Sequence, residues 1–120
     1  MLYNQELSNI EKQLLKIFIN KISIQRDIVV AQINQARISR EVSPYFVIIK
    51  FKYEDISFPL WDKCHMPYPT IQFIHSNGDA PTVLTLFVKE GIINGFEIYN
   101  ADSTELNLSN LFYCDVISDF

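Results

Sequence analysis

Four side chains offer soft ligands or nucleophiles besides methionine sulfur: Cys64, His65, His75 and Cys114. A structural zinc site needs four converging ligands, and these spacings contain no C-x-x-C or comparable pair. The adjacent Cys64 and His65 also point apart if the chain there is extended. The expectation is no metal, with the histidine in a loop and two buried or half-buried thiols. The other chemistry open to these residues is a cysteine–histidine nucleophile pair joining His75 to Cys64 or Cys114. Nothing local marks it: neither cysteine opens a helix or sits in a glycine-rich elbow, and neither G-x-S-x-G nor a phosphate-cradling glycine loop is present. The chain therefore reads as a non-enzyme without a cofactor. Glu97 is the remaining candidate. Gly95 and Tyr99 flank it on one strand face, where its carboxylate could line a shallow groove or bind an arginine, a solvated glutamate being the plainer alternative.

The element that positions Glu97 is a β-hairpin read from Ala80 to Ala101, two β-branched and aromatic runs around Lys89-Glu90-Gly91. A two-residue loop at Glu90-Gly91 sets Leu84 opposite Glu97 and Leu86 opposite Gly95, which throws the apolar sets onto opposite faces. A three-residue loop with Gly91 left-handed as a bulge repairs this, pairing Val88 with Ile92, Leu86 with Asn94 and Leu84 with Phe96. The expected core face is Leu84, Leu86, Val88, Ile92, Phe96 and Ile98. The other face carries Val83, Thr85, Phe87, Ile93, Gly95, Glu97 and Tyr99.

Upstream, Ser8-Asn9-Ile10-Glu11 has the form of a capping box. Ile10, Leu14, Ile17 and Phe18 then recur at helical spacing until about Asn20. Ile24 to Ala36 allow a second helix buried through Val29, Ile33 and Ala36, with Gln25, Arg26, Gln32 and Gln35 solvated. From Arg37 the period changes to two, which suggests a short edge strand, and Tyr45 to Tyr53 follow with Tyr45, Val47, Ile49, Phe51 and Tyr53 on one face. Pro59, Pro67 and Pro69 make the next stretch an ordered loop, with room for a short strand at Ile56 to Leu60. Strands are expected again at Ile71 to His75 and, as a final strand or a tucked segment, at Leu111 to Ile117. The order predicts a single α+β domain over residues 1–120, with one or two N-terminal helices packed on a mostly antiparallel sheet of about five or six strands.

Hydrophobic residues make up 48% of the chain, which describes a folded globular protein. The longest apolar runs are far short of a bilayer span, and the N-terminal residues, with Glu6 and Glu11, do not read as a signal peptide, so the expected location is cytoplasmic. Charge is divided unevenly. Residues 1–63 hold nine Lys/Arg against seven Asp/Glu, whereas residues 64–120 hold Lys89 alone against seven acids. An acidic sheet-forming half repels phosphate backbones and attracts basic partners, which argues against direct nucleic-acid binding. Ordinary solubilising charge is the alternative.

The hairpin Leu86-Phe87-Val88-x-x-Gly91-x-Ile93-x-x-Phe96-Glu97-x-Tyr99 resembles a signature of small, mostly uncharacterised bacterial proteins with an L-F-V strand, an acidic-glycine turn and an L-E-G-Y strand. The upstream LSNIEKQLLKIFI looks like their N-terminal helix. Their H-G-A is replaced here by Ala80-Pro81-Thr82, the second glycine of L-E-G-Y by Ile98, and their following tryptophan-proline by Asp102-Ser103-Thr104. In type, the small acidic α+β chain also resembles immunity proteins of bacterial toxin systems, including contact-dependent growth inhibition. That resemblance implies a protein that neutralises a basic toxin domain, a nuclease among the possibilities. Asp79, Glu97, Asp102 and Glu105 would then pair with its Lys/Arg. Tyr99, with Phe112 or Tyr113, would supply aromatic anchors. A homodimeric structural or regulatory module, assembled through the face that carries Phe46, Ile48, Phe87 and Ile93, is the alternative.

Overall fold

Helix formation begins where the capping box says it should. Ser8 Oγ accepts from the Glu11 N–H at 3.1 Å, and the Glu11 carboxylate accepts from the Ser8 N–H at 2.9 Å. Two amides that a helix start leaves unpaired are thereby satisfied. The computed structural model describes residues 5–21, 26–61 and 69–118. Helix α1 is Asn9–Lys21 and α2 is Arg26–Gln35. Six strands follow: β1 Arg37–Val42, β2 Phe46–Lys52, β3 Thr70–Ile74, β4 Thr82–Lys89, β5 Ile92–Asn100 and β6 Asp115–Ser118. They form one antiparallel open sheet in the order β1-β2-β5-β4-β3-β6. The fold is α+β, as the sequence predicts.

Leu14, Leu15 and Phe18 of α1 and Val29 of α2 join Val47, Ile49, Phe51, Ile71, Phe73, Leu84, Leu86, Phe96 and Ile98 in one core, so the helices cover one face of the sheet. Arg40 stands on that same face of β1, and its guanidinium reaches the almost fully buried Glu11 through Nε at 3.0 Å and through Nη2. Glu11 thus both caps α1 and ties it to the sheet edge. The Arg40 guanidinium is held above its ordinary value chiefly by its hydrogen bond to Glu11.

The hairpin departs from its expected register. Lys89 pairs with Ile92 across a two-residue Glu90-Gly91 turn, and both turn residues have positive φ, 54° and 81°. The compensating residue lies in the strand instead of the turn: Val88 pairs with Ile93 but Phe87 pairs with Gly95, leaving Asn94 as a bulge. Leu86 consequently faces Phe96 and Leu84 faces Ile98, correcting the expected Leu86–Asn94 and Leu84–Phe96 pairs. Ile93, expected on the outer face, is fully buried in the core, while Ile92 is only half-buried. The physical reason lies in distant side chains: where the ladder slips, they take over the Ile93 backbone. Gln32 Oε1 accepts its N–H at 2.8 Å and the Tyr53 hydroxyl donates to its carbonyl at 2.6 Å. Burial pushes the Tyr53 phenol up, so it remains a donor.

Gln32 is a second correction, being fully buried and not solvated. Its Nε2 also donates to the carbonyls of Pro59 and Gly91, each at 2.9 Å. No strand forms at Ile56 to Leu60, where this anchoring holds the chain as an irregular loop. The C-terminal segment, expected as a final strand or a tucked segment, is both: a 3-10 turn, Leu108–Tyr113, followed by β6. Buried Leu111 is the point at which that turn plugs into the core.

Candidate functional site

Antiparallel topology brings the C-terminal ends of β1, β3 and β5 to the same end of the sheet as the starts of β2, β4 and β6. The connecting segments interlock there, with Ala101 N–H donating to the Pro81 carbonyl and Leu106 N–H to the Pro44 carbonyl. Exposed Asp79, Asp102 and Glu105 therefore share one end of the molecule, joined by exposed Glu41 and Asp115. Among the described residues none of these five forms an ion pair. The opposite end carries Arg37, Lys52 and Lys89, of which Arg37 pairs with Glu54. Asp102 accepts from the Thr104 hydroxyl at 2.6 Å and from its N–H at 3.2 Å, and these bonds hold its carboxyl below the ordinary value.

Glu97 and Tyr99 lie further in, half-buried on the sheet face opposite the helices. Ile48 and Thr85 stand directly across from Glu97, and its carboxylate has no hydrogen-bond or ion-pair partner among the described residues. Desolvation alone pushes it up. A carboxyl raised on folding adds stability below its unfolded pKa and loses it as pH rises through the folded one. Glu97→Gln is therefore expected to stabilise the protein at neutral pH by less than about 1 kcal/mol, since the exposed part of the carboxylate is screened. Urea midpoints of the two proteins should converge as the pH falls below the ordinary glutamate value of 4.5. Equal midpoints at neutral pH would show that the carboxylate is fully solvated.

The expected aromatic anchors separate. Tyr113 is 89% exposed, Phe112 is 39% exposed and Tyr99 is half-buried. Tyr113 lines a cleft of 180 Å³ at the acidic end with His75, Ser76, Asn77, Asn110 and Cys114. Within it Cys114 Sγ lies 3.2 Å from His75 Nδ1, and His75 Nε2 lies 2.9 Å from Thr82 Oγ1. Thr82 in turn donates to Asn100 Oδ1, while Asn100 Nδ2 donates to the Glu105 carbonyl at 2.7 Å. Of the two possible partners for His75, Cys114 is the one brought to it; Cys64, like His65, lies outside the described residues. Burial, and secondarily Asp115, pushes the Cys114 thiol up. No group of three or more metal-binding side chains occurs among the described residues.

No family model, curated protein or solved structure matches this chain. Glu41 belongs to the basic half of the sequence and reaches the acidic end only through the β1–β2 pairing, while Asp115, one of the acids of the C-terminal half, is brought there by the β3–β6 pairing. Thr82 and Asn100 carried one available signal: both are polar at the end of an otherwise apolar strand face. Among the described residues, no helix is long and apolar enough to cross a membrane.

Proposed function

We propose that this protein is a binding protein of the immunity type, neutralising a basic toxin domain by covering its cationic surface. The observation that carries the reading is the set of five carboxylates, Glu41, Asp79, Asp102, Glu105 and Asp115, gathered at one end of the sheet without a basic partner among the described residues. Such a field accelerates encounter with a cationic protein by one to three powers of ten. Exposed Tyr113, beside these acids, supplies an aromatic anchor. Glu97 on the adjoining face is a carboxylate held partly out of water with no partner among the described residues, and a guanidinium from the toxin would supply one.

The test co-expresses this protein with the product of the neighbouring reading frame, which the proposal expects to be a basic toxin domain. Growth should be rescued, and the association rate of the purified pair should fall as salt rises. Glu41→Lys combined with Glu105→Lys should slow association by about tenfold or more with little change in thermal stability, because both side chains are exposed and neither carboxylate accepts a hydrogen bond among the described residues. Asp102 is left intact, since it organises its own loop. A rate unaffected by salt and by both reversals, or no rescue, removes the proposal. In the alternative homodimer, assembled through the face that carries Phe46 and Ile48, the protein captures a second copy of itself.

A further inference from the structure

The hydrogen-bond chain behind Cys114 has a direction. Asn100 Nδ2 is committed to the Glu105 carbonyl at 2.7 Å and to Thr104 Oγ1 at 3.2 Å, so Oδ1 is the atom it turns to Thr82. The single proton of the Thr82 hydroxyl goes to that oxygen, which leaves Thr82 Oγ1 as an acceptor for His75 Nε2–H. The network therefore assigns the Nε2–H tautomer, and the lone pair of Nδ1 faces the Cys114 sulfur at 3.2 Å. A nucleophile, a base and a group that orients the base are the parts of a thiol active site; here Cys114 and His75 line one cleft, and Thr82 is buried behind His75. They arrive from three places in the sequence: the end of β3, the start of β4 backed by the end of β5, and the residue before β6.

We propose that Cys114 is a nucleophile, with His75 as its general base and Thr82 and Asn100 as positioning residues, and that the cleft accepts a small activated acyl group from an ester or thioester. In this tautomer the thiol proton is directed at Nδ1. The Asn110 carbonyl, 3.4 Å from Sγ, competes for the same single proton. As the Sγ–C bond forms at the acyl carbon, the thiol proton passes to Nδ1. Collapse of the tetrahedral adduct breaks the bond to the leaving oxygen or sulfur, which departs with that proton, so the products are an acyl-Cys114 thioester and one alcohol or thiol. No oxidant or metal enters the balance. The cleft, 180 Å³ in volume and open to solvent on one side, has room for a short acyl group beside Cys114.

The probe is p-nitrophenyl acetate with the full chain. A burst of one p-nitrophenolate per chain is expected, with the acetyl group found on the Cys114 peptide. The burst should persist in Cys64→Ser, disappear in Cys114→Ser, and slow by about 100-fold in His75→Gln, the usual contribution of a positioned base. Thr82→Val should slow it too, and Thr82→Ser, which restores the hydroxyl, should recover it; a merely structural threonine would not show that recovery. The far-ultraviolet circular dichroism of each variant checks that the fold is retained. Absence of a burst, a burst that survives Cys114→Ser, or an acylation rate unchanged in folded His75→Gln overturns the proposal.

Discussion

Gly95→Ala is expected to destabilise the protein by more than about 4 kcal/mol, the size reserved for a change the surrounding structure cannot absorb. Gly95 has φ +144°, a conformation that side chains rarely adopt, and a Cβ there would lie 2.0 Å from the Ile49 carbonyl oxygen and 3.1 Å from the Lys50 Cα. Both obstacles are backbone of the neighbouring strand, so relief requires β5 to separate from β2 along the centre of the sheet. Gly95 also directly follows the Asn94 bulge, and moving it disturbs the slip that sets Leu86 against Phe96. The control is Gly78→Ala. That glycine also has positive φ, +87°, but nothing lies within 4 Å of the added atom. Its cost should be about 1 kcal/mol, from backbone strain alone. Chemical denaturation of the three proteins measures the difference, and similar midpoints for the two variants would show that the strands can spread to admit a methyl group.

The second large effect is expected at Gln32. Its amide serves three backbone groups at once, accepting from Ile93 N–H and donating to the Pro59 and Gly91 carbonyls. Gly91 has a further donor in the Trp61 N–H at 2.8 Å, whereas the Ile93 N–H would be left buried at a slipped ladder position. Gln32→Leu keeps the bulk and removes every hydrogen bond. With each buried group left unpaired costing about 1–3 kcal/mol, a loss of about 3–5 kcal/mol is expected. Gln32→Glu separates hydrogen bonding from packing. A carboxylate can still accept from Ile93 but turns its other oxygen on two carbonyls, so this variant should be weakest at neutral pH and recover as acid restores a donor. A Gln32→Glu variant whose stability does not depend on pH would show that water reaches this site.

Local patterns in the sequence carried much of the fold. The Ser8–Glu11 capping box, the period-3.6 stripe of Leu14 and Phe18 and the alternation of Val47, Ile49 and Phe51 each specify an element through neighbours a few residues away, and each is present. The hairpin's core faces at Leu84, Leu86, Phe96 and Ile98 were legible for the same reason, because side-chain alternation is a property of a single strand. The acidity of the C-terminal half was legible as composition, and Asp79, Asp102 and Glu105 do share one end of the sheet.

Tertiary structure decided everything that depends on a partner far along the chain. The position of the one-residue correction in the hairpin is fixed by Gln32 and Tyr53, which lie 61 and 40 residues from Ile93 and take over its backbone groups. Gln32 looked solvated because polarity on a helix usually means water, and only the hairpin and the 59–61 segment supply its alternative partners. The Cys114–His75 contact spans 39 residues, and no local pattern marks it, because a histidine ending one strand meets a cysteine preceding another only after β3 and β6 pair. Short-range order is written in the spacing of side chains, while a site assembled from strand ends exists only once the sheet has closed its register.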